Sequence, residues 1–378
     1  MRVRAVLAVA VATTAAALGA AGTAEAAGYL VGAARVDTTP QAWDAAGYGR
    51  VFPESACPRA LYPDHGHFLL EEPYRDLNGD GRFEYGDLFC DANHNGRYDG
   101  IYDSGGVDRL ATGVDDPIDA RAISISAGRR TYVVVSVVAQ GLHENYIEDM
   151  RARARTARPG ISDVIVSANH NESSPDTVGI YGGPEAPELS AGLNSGIDDY
   201  YMDDLDQRVA DAAVAAYDRR RPATLYARQF PLPAGVCVRL STNFPTTYDD
   251  GSPAAIDPKV GVLQARDRSG RPMVTVTSLA AHNQEIGHSG SPRLSSDWPG
   301  ALHRALESGG AGMGMFLVGD NGSEEDPVTQ PPVDRPDGPG CLIAERRRSS
   351  SGREASSARA GSAPARTTKK PCLRLRRA

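Results

Sequence analysis

Short apolar runs alternate with longer amphipathic stretches along this chain. Tyr29-Leu30-Val31-Gly32-Ala33-Ala34-Arg35-Val36 reads as a first strand. Arg121 to Ser126 and Thr131 to Ala139 read as a strand pair joined at Ala127-Gly128-Arg129-Arg130. Val164-Ile165-Val166 centres a buried strand over Ile161 to Ala168, and Leu225 to Pro231, Val260 to Gln264, Met273 to Leu279 and Gly314 to Val318 read as further strands. His143 to Arg158 predicts a charged surface helix stopped by Pro159-Gly160. Asp198 to Arg221 predicts a long helix, because Leu205, Val209, Ala212, Ala213, Ala216 and Tyr217 recur on one face before Pro222 ends it. Pro299 to Glu307 predicts a short helix. Strands alternating with helices predict an α/β fold with a mixed β-sheet core flanked by helices.

Two strands run straight into histidines. The stretch Ser167-Ala168-Asn169-His170-Asn171-Glu172-Ser173-Ser174-Pro175-Asp176 follows one, and Leu279-Ala280-Ala281-His282-Asn283 follows another. In open α/β sheets the crevice beyond the carboxyl ends of strands is where ligands sit, so His170 and His282 can meet there despite their distance in sequence. A neutral imidazole is a good zinc ligand, and hydrolytic zinc sites use three protein ligands plus water. Glu172, Asp176, Glu285 and Asp297 are the nearby acids, each a candidate third ligand or general base.

From about Val51 to Asp116 the apolar periodicity disappears into Asp, Gly, Asn, Pro and Tyr. A loop this long needs something to order it. Asp76, Asn78, Asp80 and Asp87 fall at positions 1, 3, 5 and 12 of a calcium-loop spacing, with Gly81 at the sharp turn and the Arg82 carbonyl at position 7. Aspartate at position 12 resembles the loops of dockerin-type modules. A second copy places Asp91, Asn93, Asn95 and Arg97 in the same roles, with Tyr102 at position 12 and Asp103 available to close the site. The doubled pattern predicts bound Ca2+ rather than an ordinary polar turn.

Composition adds a location and removes one partner class. Arg2 and Arg4, the apolar Ala5 to Leu18 and Ala24-Glu25-Ala26 have the pattern of a secretory signal peptide over 1–26, so the protein is expected to be secreted and extracellular. No later stretch predicts a transmembrane segment. Secretion permits disulfides, and Cys57 with Cys90 is the expected bridge among five cysteines, since both flank the loop-rich segment. The formal net charge is −8, although Arg and Lys crowd the last stretch, so the body is strongly acidic. Such a body suits cations and argues against nucleic acid. Residues 336–378 carry few large apolar side chains and read as a disordered basic tail.

Several ordered landmarks resemble the neutral/alkaline ceramidases. They are Gly32-Ala33-Ala34-Arg35-Val36-Asp37-Thr38-Thr39-Pro40, Gly47-Tyr48-Gly49, Ala120-Arg121-Ala122 and Ser167 to Pro175. Asp257-Pro258-Lys259-Val260-Gly261-Val262-Leu263, His282 with Ser295-Ser296-Asp297-Trp298-Pro299-Gly300, and Phe316 to Gly322 complete the series. The resemblance implies a ceramidase-like catalytic domain over 27–335, with 51–116 inserted. It implies a secreted zinc amidohydrolase that cleaves an N-acyl amide bond of a sphingolipid, taking a lipid or N-acyl amide substrate at a membrane surface. It assigns zinc to His170 and His282. Where the family has a second histidine this chain has Glu172, a candidate catalytic residue, and Ser323 is its nearest match to the catalytic serine. The other reading is a catalytically impaired relative that acts as a calcium-dependent secreted binding protein.

Overall fold

The computed structural model describes residues 28–42, 57, 67–183, 194–232, 237–239, 257, 259–286, 292–319 and 325–327. The expected signal peptide, Ser323 and the basic tail lie outside the described residues.

Eight strands form one mixed sheet: β1 (Tyr29–Asp37), β2 (Asp119–Ala127), β3 (Arg130–Val137), β4 (Asp163–Ala168), β5 (Arg221–Pro231), β6 (Lys259–Asp267), β7 (Pro272–Leu279) and β8 (Met313–Val318). Among the described residues three helices accompany them: α1 (Glu144–Ala157), α2 (Asp199–Asp218) and α3 (Asp297–Ser308). The strand order is β8-β7-β6-β5-β1-β2-β3-β4. The outermost pairs, β7 with β8 and β3 with β4, are parallel, and all others are antiparallel. A parallel pair needs a crossover. Here α1 joins β3 to β4 and α3 joins β7 to β8.

Alternation along the strands divides their side chains between two apolar clusters. Val133, Val135 and Val137 of β3 pack with Leu205, Val209, Ala212, Ala213 and Ala216 of α2. Val134, between them, faces the opposite cluster of Val31, Ile123, Ala265, Val274, Val276 and Met315, which the strands build without a helix. The predicted face of α2 is buried apart from Tyr217, which is half-buried beneath the Arg220 guanidinium. Asp198 caps this helix by accepting from Tyr201 N at 2.7 Å. Gly32 lets β1 pass close beneath α2, since a Cβ there would lie 2.1 Å from the Ala216 carbonyl oxygen.

The sheet curls until its ends meet. Ser136 Oγ in β3 donates to the Phe316 carbonyl in β8 at 2.5 Å, and Arg121 Nη1 in β2 donates to the Gly314 carbonyl at 2.7 Å. Arg121 is itself held by Asp119 and Glu307. This closure brings the two crossover units together, and with them the ends of β4 and β7.

The described residues of 51–116 are loop with two-residue strands, Tyr74–Arg75 against Leu88–Phe89, and contain no helix. Cys57 and Cys90 form the expected disulfide, with Cα atoms 5.5 Å apart. Among the described residues, no helix is long and apolar enough to cross a membrane.

Candidate metal centre

The ladder between β3 and β4 continues past the end of β4. Asn169 N donates to the Val137 carbonyl and Asn171 N to the Ala139 carbonyl, both at 3.0 Å. Between them His170 takes a left-handed backbone conformation, φ 60°. Such a value is uncommon away from glycine, though histidine tolerates it better than branched residues. The end of β7 meets this turn from the other side. Asn171 and Asn283 form a parallel bridge, and Glu172 N donates to the Asn283 carbonyl at 2.9 Å. Asn283 Nδ2 donates to the Asn169 carbonyl, and Asn171 Nδ2 to the Ser295 carbonyl at 3.2 Å. Both asparagines are fully buried. The loop after β7 is pinned further by Trp298 Nε1, which donates to the His282 carbonyl at 2.7 Å.

These clamps bring His170, Glu172 and His282 together. Glu172 Oε1 lies 3.9 Å from His170 Nε2 and 3.7 Å from His282 Nδ1. The imidazole centroids are 4.5 Å apart and the rings nearly perpendicular. The three ligand atoms all lie within 4.8 Å of one another, the single such group of His, Cys, Asp or Glu among the described residues. Tetrahedral zinc with bonds of about 2.0–2.2 Å holds neighbouring ligand atoms about 3.3–3.6 Å apart, so a small inward movement would make these three a ligand set. The His170 side chain is 33% exposed, against 13% for Glu172, so the cluster opens to solvent on the His170 side.

The other acids are used elsewhere. Asp176, 1% exposed, accepts from the backbone N–H groups of Val178, Gly179, Ile180, Tyr181 and Gly196, so it organises a turn instead of facing a metal. Asp297 accepts from Ile286 N and Trp298 N and fastens the loop after His282. Burial pushes its carboxyl up to about 6. The Glu285 backbone also donates to Asp297, and its carboxylate is not in the three-residue group.

Two further residues act on the cluster: Tyr181, which the sequence did not single out, and Asp103, which it placed at the end of the second calcium loop. Burial raises the Tyr181 hydroxyl, with the Glu172 charge adding to it, and Gln140 Nε2 donates to that hydroxyl. Asp103 is fully buried and pairs with Arg109 at 2.9 Å. Burial pushes its carboxyl up to about 7 against the pull of Arg109, and Glu172 adds to the rise. Asp103, expected to close the second calcium loop, is instead paired with the Arg109 guanidinium.

The calcium-loop residues are arranged by backbone donors. Asp76 accepts from Gly79 N and Gly81 N, Asn78 from Asp80 N, and Asp80 from Arg82 N. Asp87 returns to the start of its loop by accepting from Leu77 N at 3.0 Å. Asp76, Asp80 and Asp87 are not among the residues whose ligand atoms all lie within 4.8 Å of one another. In the second loop Asp91 accepts from Asn95 N and Gly96 N, Asn93 from Asn95 N, and Asn95 from Arg97 N. Position 9, Asp99, lies at the centre of this loop's side-chain contacts.

Against solved structures, the chain has the α/β fold of the ceramidases. The neutral ceramidase from Pseudomonas aeruginosa superposes with a TM-score of 0.54 at 15% identity, covering 82% of this chain and 41% of that one. A structure described as ceramidase complexed with C2 gives a TM-score of 0.50 at 17% identity, covering 80% and 39%. The chain spans about two-fifths of the length of these structures. No protein-family model matches the sequence, and no curated protein matches it.

Proposed function

We propose that this chain is a secreted zinc-dependent hydrolase that cleaves the N-acyl amide bond of a sphingolipid-like lipid at a membrane surface. The observation that carries the reading is the His170–Glu172–His282 group, at the meeting ends of β4 and β7 on a ceramidase-like fold. Zinc, when bound, supplies a Lewis acid that polarises the scissile carbonyl and lowers the pKa of a water to about 7. His170 Nε2 and His282 Nδ1 are its imidazole ligands. Glu172 Oε1 is its third, because it lies at nearly equal distance from both nitrogens. Asn171 and Asn283 hold the two histidine loops in register. The exposed His170 side is where an amide carbonyl would approach. Calcium in the inserted segment is a further part of the reading, supported by the doubled loop spacing.

His170→Ala should abolish both tight zinc binding and hydrolysis. Glu172→Gln should weaken zinc by at least about tenfold, as loss of a ligand would. Zinc content of the purified mature protein, followed by a screen of ceramide, N-acyl amides and simple esters, tests the whole. Retention of wild-type zinc affinity with a rate about 10²–10⁴-fold lower would make Glu172 a general base instead. A folded, zinc-loaded sample that hydrolyses none of these substrates would leave the calcium-dependent binding protein as the reading.

A further inference from the structure

A hydrogen-bond donor and an acceptor stand together beside the metal centre, on two residues that metal binding leaves unused. β3 ends at Val137, and the chain runs on as Val138-Ala139-Gln140-Gly141. The Ala139 carbonyl accepts Asn171 N at 3.0 Å, so Gln140 adjoins the turn that carries His170 and Glu172. The Gly141 carbonyl accepts from Thr177 Oγ1 at 2.5 Å, which ties the other side of Gln140 to the loop after Asp176. That loop leads to Tyr181. Its N–H donates to Asp176 Oδ2 at 3.0 Å, and its carbonyl accepts Asp108 N at 3.0 Å. The tyrosine is thus fixed at its backbone from two sides, and its hydroxyl meets Gln140 Nε2. The Glu172 charge acts on this hydroxyl, which places the pair beside the cluster.

The pair is not closed on itself. A side-chain amide carries two N–H donors and a carbonyl acceptor, and a phenol both donates and accepts. With Gln140 Nε2 donating, the Tyr181 proton and Gln140 Oε1 have no further hydrogen-bond partner among the described residues. With the amide turned over, the phenol would donate to Oε1, leaving the Gln140 N–H groups and a lone pair of the Tyr181 oxygen. In either orientation one donor and one acceptor remain side by side. Both residues are half-buried, so a ligand can reach them. Burial also holds the phenol above its ordinary pKa, which keeps its proton in place at neutral pH. A hydroxyl gives one hydrogen bond and takes another, and so matches this pair, whereas hydrocarbon does not. In an N-acyl lipid the acyl side is hydrocarbon, and a hydroxyl near the scissile bond belongs to the amine side.

We propose that Tyr181 and Gln140 together read a hydroxyl on the amine side of the substrate and set the head-group preference of the site. The inference rests on the hydrolase reading above and names residues that choose among its substrates.

The test compares N-lauroylethanolamine with N-lauroylethylamine, two amides that differ by one hydroxyl, on the zinc-loaded mature protein. Wild type should favour the ethanolamide at least about tenfold in kcat/KM, because the analogue leaves the polar pair unmatched. Tyr181→Phe keeps the ring, and Gln140→Leu alters the partner independently. Each should bring the ratio close to one by raising KM for the ethanolamide, with the ethylamide rate, zinc content and circular dichroism unchanged. A preference that survives both variants, an equal loss on both amides, or equal wild-type rates on the two would overturn the assignment and leave the hydrolase standing. A wild type that cleaves neither amide would overturn the assignment too, and the hydrolase with it unless the same sample cleaves ceramide or an ester.

Discussion

The curled sheet and the segment 51–116 reach order by different physics. In the sheet, regular strands and α2 bury aliphatic side chains, and backbone groups satisfy one another in ladders. In the segment few aliphatic side chains are available. An aromatic knot takes their place, with Phe83 stacked on Tyr98 at 3.9 Å and Tyr74 and Phe89 edge-on to them. Carboxylates of Asp76, Asp87, Asp91 and Glu72 accept the backbone N–H groups that no strand partner takes, and a disulfide ties the segment to itself. Apolar order is indifferent to pH and ions, whereas order built on buried carboxylates depends on what neutralises them. The segment is therefore one part of the molecule through which solution conditions act.

The largest effect expected from this contrast is in the sheet body. Leu205 is fully buried between α2 and the strands. Leu205→Ala should cost about 2–5 kcal/mol, read by denaturant unfolding of the whole domain in Ca2+ or chelator alike. A loss confined to one of these conditions would break the comparison.

Next comes the disulfide. Joining residues 33 apart limits the unfolded chain, and replacing Cys57 and Cys90 together by serine should cost about 2–4 kcal/mol. Hydrogen exchange should accelerate mainly at amides of the segment, such as those of Ala92 and Asp99. Uniform acceleration across the sheet would mean that the two regions unfold as one unit.

A third effect sharpens the comparison from the other side, because α2 carries a buried carboxyl of its own. Asp206 is 3% exposed, and burial pushes it from 3.8 up to about 7 despite Arg153. A raised carboxyl favours the folded state fully below pH 3.8, and that contribution is lost as pH rises to about 7. Asp206→Asn should match wild type near pH 4 and exceed it in Tm near pH 8. Equal Tm values at both would show that the wild-type site relaxes enough to hydrate the charge.

Much of the fold was legible in the sequence because its signals are local. Valine alternation over Thr131 to Val137 marks a strand whatever it pairs with, and the spacing of Leu205, Val209 and Ala213 marks a helix face. His170 and His282 stood out because each follows a strand. The same dipeptide, His-Asn, ends both, but that Asn171 and Asn283 clamp the two loops together was visible only in the structure. The spacing of two cysteines around a loop-rich segment pointed to their bridge.

Acidic residues were read less well, for a physical reason. A carboxylate suits a metal, an arginine or a row of backbone N–H groups equally, and local sequence does not say which of these arrives. Asp176 took backbone donors, Asp297 took the loop after His282, and Asp103 took Arg109. Tertiary structure decided these uses, and it decided the site itself. Pleat and periodicity specify which face of a strand is buried but not which strands become neighbours. β4 and β7 lie far apart in the order of the sheet, and their histidines meet because the sheet curls far enough to bring its ends together.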